Sequence, residues 1–147
     1  MKDFSYIALG LAAGMAVPVM AALNANLSGK MGSAFAAAAV LSAVAFVTLA
    51  VACWLSGTFA SGLRWPAPTP GYAAGLLFVV YIASITWLAP RIGVGNAVFL
   101  VLMGQLVTSA LIDHFALFGA PRVALTSRRL LGLVVMAAGL MLARRPI

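Results

Sequence analysis

The sequence predicts an all-α integral membrane protein with five transmembrane helices. Apolar residues make up 65% of the chain and charged residues 7%, whereas soluble domains average about half and about a quarter. Four apolar runs each approach the roughly 20 residues that a helix needs to cross a bilayer. A lipid bilayer is therefore the expected surrounding of this chain.

The first four spans are apolar runs separated by residues that favour turns. They are expected at residues 4–23, 33–55, 71–89 and 94–112. Asn24 and Asn26 follow the first run, where asparagine either ends a helix or faces a cavity. Pro90 precedes Gly93 and Gly95, which predicts a tight turn between the third and fourth spans.

The fifth span is shorter and is expected at residues 130–143. Arginines flank it on both sides: Arg128, Arg129, Arg144 and Arg145. Long side chains of this kind reach back to the interface and so extend a short span. The five spans together predict one membrane domain over residues 1–147.

The basic residues are spread along the chain rather than clustered. Nine Lys and Arg oppose only two acids, Asp3 and Asp113. A nucleic-acid site would need these basic residues on one face, but they lie singly or in pairs between apolar runs, as at the ends of membrane spans. No nucleic-acid partner is expected.

The charges of alternate loops are nearly balanced between the two sides of the membrane. One side receives Lys2, Arg64, Arg122, Arg128 and Arg129, and the other receives Lys30, Arg91, Arg144 and Arg145. Because the excess of Lys and Arg sets orientation, so small a bias leaves two interpretations open. Either the first side is cytoplasmic in every copy, or the chain inserts both ways up and two inverted copies form an antiparallel dimer.

Glycine pairs mark two helix faces for close packing. Gly10 and Gly14 are four residues apart in the first span, and Gly132 and Gly139 are seven apart in the fifth. Small residues at these spacings share a face and let another helix approach closely. For the fifth span, that other helix belongs either to a partner chain or to the same chain.

The fourth span carries a stripe of polar side chains. Gln105, Thr108, Ser109 and Asp113 fall on one broad face at 3.6 residues per turn, opposite Asn96. Polar groups in hydrocarbon are costly, so they mark an internal pathway or an interface by default. The alternative is that the hydroxyls bond back to their own helix and that Gln105 bonds a neighbouring helix.

Asp113 ends this stripe near a membrane boundary, and His114, next to it in the sequence, lies on roughly the opposite face. Asp113 either exchanges a proton or meets a cation, or it pairs with one of Arg122, Arg128 and Arg129. His114 beside it resembles half of an acid–base pair for proton coupling. A lone His at a helix end is also commonly an interfacial hydrogen-bonding group or a pH sensor.

Four further side chains extend the candidate substrate pathway. Tyr81, Ser84 and Trp87 follow one another at three-residue spacing in the third span. They form either a packed aromatic strip or a wall that faces the substrate. Asn24 is the candidate in the first span.

No set of residues for bond-making chemistry is visible. The sequence has no Gly-rich phosphate loop, no Ser/His/Asp set and no paired carboxylates. One His and one Cys provide no metal-ligand spacing. We therefore expect neither an enzyme nor a metal or other cofactor.

Short motifs across nearly the whole chain resemble one family. They are NxNL at 24–27, PRIG at 90–93, GQ at 104–105, IDHF at 112–115, LFGAP at 117–121 and RLLG at 129–132. On these motifs the chain resembles the YdcZ-type family of small inner-membrane proteins, within the drug/metabolite transporter superfamily. That family often has Gln where this chain has Met20, and Gly where it has Ala116.

The resemblance implies a five-helix transporter of the bacterial inner membrane. Longer members of the superfamily contain two inverted five-helix halves, so this chain resembles half of a ten-helix inverted-repeat transporter. A homodimer or a paralogous heterodimer would complete it. The spacing of Gly132 and Gly139 is similar to the glycine heptad in the dimerisation helix of small multidrug resistance exporters. The first span nevertheless lacks the glutamate with which those exporters bind cations and protons.

The expected function is secondary transport or export of a small-molecule metabolite by alternating access, as a dimer. One alternative is a small dual-topology ion channel, although polar residues gathered mainly on one helix make a poor pore. Another alternative is a non-transporting helper subunit that packs on a partner membrane protein.

Overall fold

A computed structural model of the protein describes residues 2–58 and 69–143. Side chains are described from residue 4 and, after the gap, from residue 71. Among the residues used in the charge balance, Arg64, Arg144 and Arg145 lie outside the described residues, as does the side chain of Lys2.

The described residues form five α-helices. They are α1 Lys2–Met31, α2 Ala34–Leu55, α3 Ala73–Ile92, α4 Val94–Phe115 and α5 Ser127–Ala143, with 3-10 turns at Thr69–Tyr72 and Leu117–Gly119. Helices α1 to α4 are long and apolar enough to cross a membrane. The 17 residues of α5 extend about 25 Å, slightly less than the roughly 30 Å of bilayer hydrocarbon. The all-α membrane fold is thus confirmed, with four helices of spanning length and a shorter fifth.

Of the two roles that the sequence left open for Asn24 and Asn26, ending the first helix is not the one they take. Helix α1 continues through Asn24 and Asn26 to Met31. Asparagine ends a helix when its side chain bonds the local backbone instead. The side chain of Asn24 bonds the buried Thr86 on α3, so it does not compete with the helix.

A two-residue turn joins α1 to α2 and makes them antiparallel neighbours. Gly32 has a φ of 68°, a left-handed value that glycine adopts without strain. Ser33 is extended, and its Oγ accepts a hydrogen bond from the N–H of Ala36 at 3.2 Å, which caps the start of α2. The 30 residues of α1 extend about 45 Å, which is longer than the roughly 30 Å of bilayer hydrocarbon.

Pro90 lies inside α3 rather than in the turn that follows, so this part of the prediction is wrong. Proline has no N–H to donate to the carbonyl four residues before it, which weakens the helix at this point, and α3 ends two residues later at Ile92. Gly93 alone makes the turn to Val94, with φ 86° and ψ 147°. Only glycine enters that region of backbone conformation readily.

The chain divides into two compact units, Met1–Arg91 and Ile92–Ile147. The core of the first unit is built mainly from small residues. It contains Ala21, Ala37, Ala38, Ile82, Ile85 and Ala89. Alanine faces let membrane helices pack closely, and α1 and α2 pack against each other in this way, while the side chain of Asn24 links α1 to α3.

The end of α4, in the second unit, carries two residues with left-handed backbone. Ala116 has a φ of 51° and Phe118 a φ of 56°. This conformation costs a residue with a Cβ roughly 1–2 kcal/mol. Glycine avoids that cost, which gives a physical reason for the Gly that the resembled family often has in place of Ala116.

Replacing Gly93 with alanine should destabilise the protein by about 1–3 kcal/mol, because the added Cβ strains this backbone conformation. Lack of space is not the cause, since a Cβ at Gly93 would meet no atom within 4 Å. Gly95→Ala is the matched control, since Gly95 is helical and equally open and alanine favours a helix. Thermal unfolding of both variants in one detergent checks the prediction, and equal midpoints would contradict it.

Candidate functional site

The polar stripe of α4 lies on an exposed side of that helix. Gln105, Thr108 and Ser109 are exposed, whereas Asn96 on the opposite side is buried. Ser109 Oγ donates back to the carbonyl of Leu106 at 3.0 Å, as the alternative interpretation expected. Among the described residues, the Gln105 amide and the Thr108 hydroxyl have no hydrogen-bond partner. Unpartnered polar groups in hydrocarbon cost several kcal/mol, so this side of α4 favours contact with another polar surface.

The glycines selected as packing positions are all open in the structure. A Cβ added to Gly10, Gly14, Gly132 or Gly139 would meet no atom within 4 Å. Gly104, beside Gln105, is equally open. No described helix packs tightly on these faces.

At the end of α4, Asp113 is joined to the start of α5. The Nη2 of Arg129 donates to Oδ2 of Asp113 at 2.5 Å, and both side chains are about one third exposed. Arg129 is one of the three partners that the sequence allowed. Its Nη1 also donates to the carbonyl of Val123 at 3.4 Å, and the N–H of Val123 donates to the carbonyl of Asp113 at 2.9 Å.

His114 holds the same loop from the other side. Its Nδ1 accepts a hydrogen bond from the N–H of Leu125 at 3.1 Å, so the proton of the neutral ring sits on Nε2. We call Asp113, His114 and Arg129, with the loop backbone they bind, the polar clasp. A proton added to Nδ1 would remove the acceptor for Leu125, and a cation at Oδ2 of Asp113 would compete with Arg129.

The three side chains expected to form a wall on the third span do not all line the same space in the structure. Ser84 and Trp87 line an open cleft of about 400 Å³ together with Phe35 and Leu88. Tyr81, one turn earlier, is half-buried and does not line this cleft. Two of the three side chains therefore share a surface that a ligand can reach.

Asn24 lies between α1 and α3 rather than in the cleft. It is 4% exposed, and its Nδ2 donates to Oγ1 of Thr86, which is fully buried. Thr86 was missed because it sits in an apolar run. A signal was present, since Thr86 shares the helical stripe of Ile82, Ile85 and Ala89, and a hydroxyl on a buried stripe needs a partner.

In the described part of the chain, no three His, Cys, Asp or Glu side chains come together as a metal would require. The groups that the structure presents are amides, hydroxyls, one ion pair and apolar walls. These suit reversible binding by hydrogen bonds and charge.

A family model described as "putative inner membrane exporter, YdcZ" matches residues 5–142 of the chain. No curated protein and no solved structure matches the chain. The matched region includes the polar stripe, the polar clasp and the cleft. All three features therefore belong to the part of the chain that the family model covers.

Asp113→Asn and Arg129→Gln should each lower stability by about 0.5–1 kcal/mol, because a partly exposed ion pair is weakened by solvent and salt. The double variant should lose little more than either single variant, since both remove the same interaction. Arg128→Gln is the control, because Arg128 is an exposed neighbour of equal charge. Thermal unfolding of the four variants measures this coupling, and additive losses at the two positions would count against it.

Proposed function

Since the chain belongs to the YdcZ family of inner-membrane exporters, we propose that it exports a small metabolite by alternating access, as a dimer. The family class is one of transport rather than of enzymes, and the chain is a multi-pass protein of the inner membrane. In our proposal residues 1–147 act as one membrane domain, α5 is the fifth span, and two antiparallel copies make up a ten-helix transporter.

The Gln105 amide is the observation that carries this proposal. It lies near the middle of α4, is exposed, and has no partner among the described residues. A second copy that presents the same stripe would satisfy both amides by hydrogen bonds between helices. Burying the stripe against another chain is therefore favoured over leaving it in lipid.

An antiparallel pair brings a polar group at mid-helix close to the same group of the other copy. In such a pair the two-fold axis lies in the membrane plane, so positions near the middle of α4 meet their own counterparts. Gln105 and Thr108 of both copies would then surround one polar site at the midplane, where inverted-repeat transporters bind their substrates. The five-to-four balance of basic residues across the membrane supports insertion in both orientations.

The open glycine faces support movement between two states. Helices that meet through Gly132 and Gly139 pack backbone to backbone and can shift without large side-chain rearrangement. The polar clasp supplies a candidate for proton coupling, because protonation of Asp113 would release Arg129 and loosen the loop before α5. In this proposal Gln105, Thr108 and Ser109 bind substrate, and Asp113 and His114 respond to protons.

Cysteine cross-linking should show that α4 meets α4 of a second copy in antiparallel orientation. Val98 and Ile112 each lie two turns from Gln105, on its side of the helix. In an antiparallel pair, Val98 of one copy meets Ile112 of the other. Val98→Cys and Ile112→Cys chains with different tags, coexpressed in a Cys53→Ser background, should therefore cross-link to each other upon mild oxidation in the membrane.

Two results would contradict the antiparallel pair. Cross-linking of Val98→Cys to itself, or of Ile112→Cys to itself, would indicate parallel helices. No cross-link in any combination would mean that the stripe is not an interface. Ala110→Cys is the control on the buried side of α4 and should stay uncross-linked throughout.

Gln105→Leu should reduce transport at least about tenfold, because leucine keeps the size of the side chain and removes its hydrogen bonds. A panel of small metabolites is first screened by thermal shift of the purified chain, and each ligand found is then loaded into proteoliposomes to measure efflux. Val107→Leu, on a lipid-facing side of α4, is the matched control. Normal efflux from Gln105→Leu at equal protein density would rule out the assigned site.

A further inference from the structure

The cleft at Ser84 and Trp87 adjoins a second, more polar cavity at the ends of α1 and α3. This cavity has a volume of about 540 Å³, and Ser28, Gly32, Pro90 and Arg91 are among the residues that line it. Ala34, Phe35 and Trp87 line both spaces. We call the two together the amphiphilic groove, which has a polar mouth at Arg91 and apolar walls deeper in.

Arg91 is held in place at the mouth of the groove. Its guanidinium carbon lies 3.9 Å from the centroid of the Trp87 ring, a stacked cation–π arrangement. Its Nη1 donates to the carbonyl of Trp87 at 2.6 Å. The other N–H groups of the guanidinium have no partner among the described residues, so a fixed, planar donor fork faces incoming ligands.

The charges around the mouth are positive. Arg91 lines the cavity and carries a positive charge there, and the first turn of α2, at Ala34 and Phe35, adds the positive end of a helix dipole. Asp3 begins α1, at the far end of the helix from the groove. Asp113, the other acid of the chain, is already paired with Arg129.

We infer that the amphiphilic groove binds a small amphiphilic anion. A carboxylate or phosphate group sits on the Arg91 fork, which matches the geometry of such groups. The apolar body of the ligand lies against Phe35, Trp87 and Leu88. Helix α1 is longer than the hydrocarbon core is thick, so the mouth lies at the membrane interface, within reach of both aqueous metabolites and lipid headgroups.

The two sources of such a ligand share one binding chemistry. A free organic anion in the groove would be the transported substrate, an assignment that rests on the proposed function. An anionic lipid would place its headgroup on Arg91 and its chains along the apolar wall. The binding of an acidic group by Arg91 is common to both.

Fluorescence of Trp87 tests the inference directly. Trp54→Phe and Trp65→Phe leave Trp87 as the single tryptophan of the chain. The full chain is placed in phosphatidylcholine nanodiscs and titrated with 3-phenylpropanoate, with the neutral 3-phenylpropanamide as the matched probe. In a second arm, phosphatidylglycerol replaces part of the phosphatidylcholine. We expect a saturable change in Trp87 emission with the carboxylate or with the anionic lipid, and none with the amide.

Arg91→Gln should weaken this binding at least about tenfold, because a charged hydrogen-bond partner is lost. Arg91→Lys keeps the charge without the planar fork and should weaken it several-fold. Arg128→Gln removes an equal charge elsewhere and should leave binding unchanged. Helical circular dichroism of each variant confirms that it is folded.

The two arms of the experiment distinguish a free anion from a lipid headgroup, and either inference can be contradicted by the results. A response to the carboxylate supports a free anion, and a response to phosphatidylglycerol alone supports a lipid headgroup. No saturable response in either arm would overturn the inference, as would unchanged affinity in both Arg91 variants or an equal response to the neutral amide. A chain that binds the anion but shows no efflux would leave this inference standing and count against the proposed function only.

Discussion

The hydrogen bond between Asn24 and Thr86 sets the register of α1 against α3, and much of the first unit depends on it. The core around it consists largely of alanine, whose flat surfaces allow helices to slide with little change in contact area. A buried amide bonded to a buried hydroxyl allows only one alignment, because any shift leaves both groups unpaired in an apolar region. Ser28 lies one turn beyond Asn24, and Arg91 lies just over one turn beyond Thr86. The same bond therefore brings both residues to one level, at the mouth of the amphiphilic groove.

Gln105 is a second side-chain amide in an apolar segment, and it too needs a hydrogen-bond partner. Asn24 finds its partner inside the unit, whereas Gln105 points outward and has no partner among the described residues. An amide kept at mid-helix under these conditions destabilises the single chain in lipid. It stabilises any complex that supplies a hydrogen bond, so one residue disfavours the monomer and favours association. The unpaired amide and the open glycines at Gly132 and Gly139 thus both favour association with another chain.

The sequence predicted the helices well because membrane helices are long and apolar and need no tertiary contact to be recognised. Its errors fall where a distant contact decides the local structure. The role of Asn24 stayed open between a helix end and a cavity-facing group, because its partner, Thr86, lies 62 positions along the chain. Pro90 was assigned to a turn on local preference, and the turn begins only after Ile92, two residues beyond it. The sequence likewise could not predict which arginine pairs with Asp113, because Arg122, Arg128 and Arg129 fit equally well. Only the folded loop brings Arg129 to it.

The distribution of charge bears on the kind of ligand that this chain can accept. A cation in the amphiphilic groove would face Arg91, and none of the described residues that line the groove is acidic. Desolvating a cation without a counter-charge is strongly unfavourable. Asp113, at the end of α4, is engaged by Arg129, and a cation would have to compete with a guanidinium for it. An anion meets the reverse situation, because Arg91 is already oriented by Trp87 and loses little freedom when it binds. The electrostatics of the first unit therefore select against cations, while the apolar walls at Phe35 and Leu88 favour anions that carry a hydrophobic body.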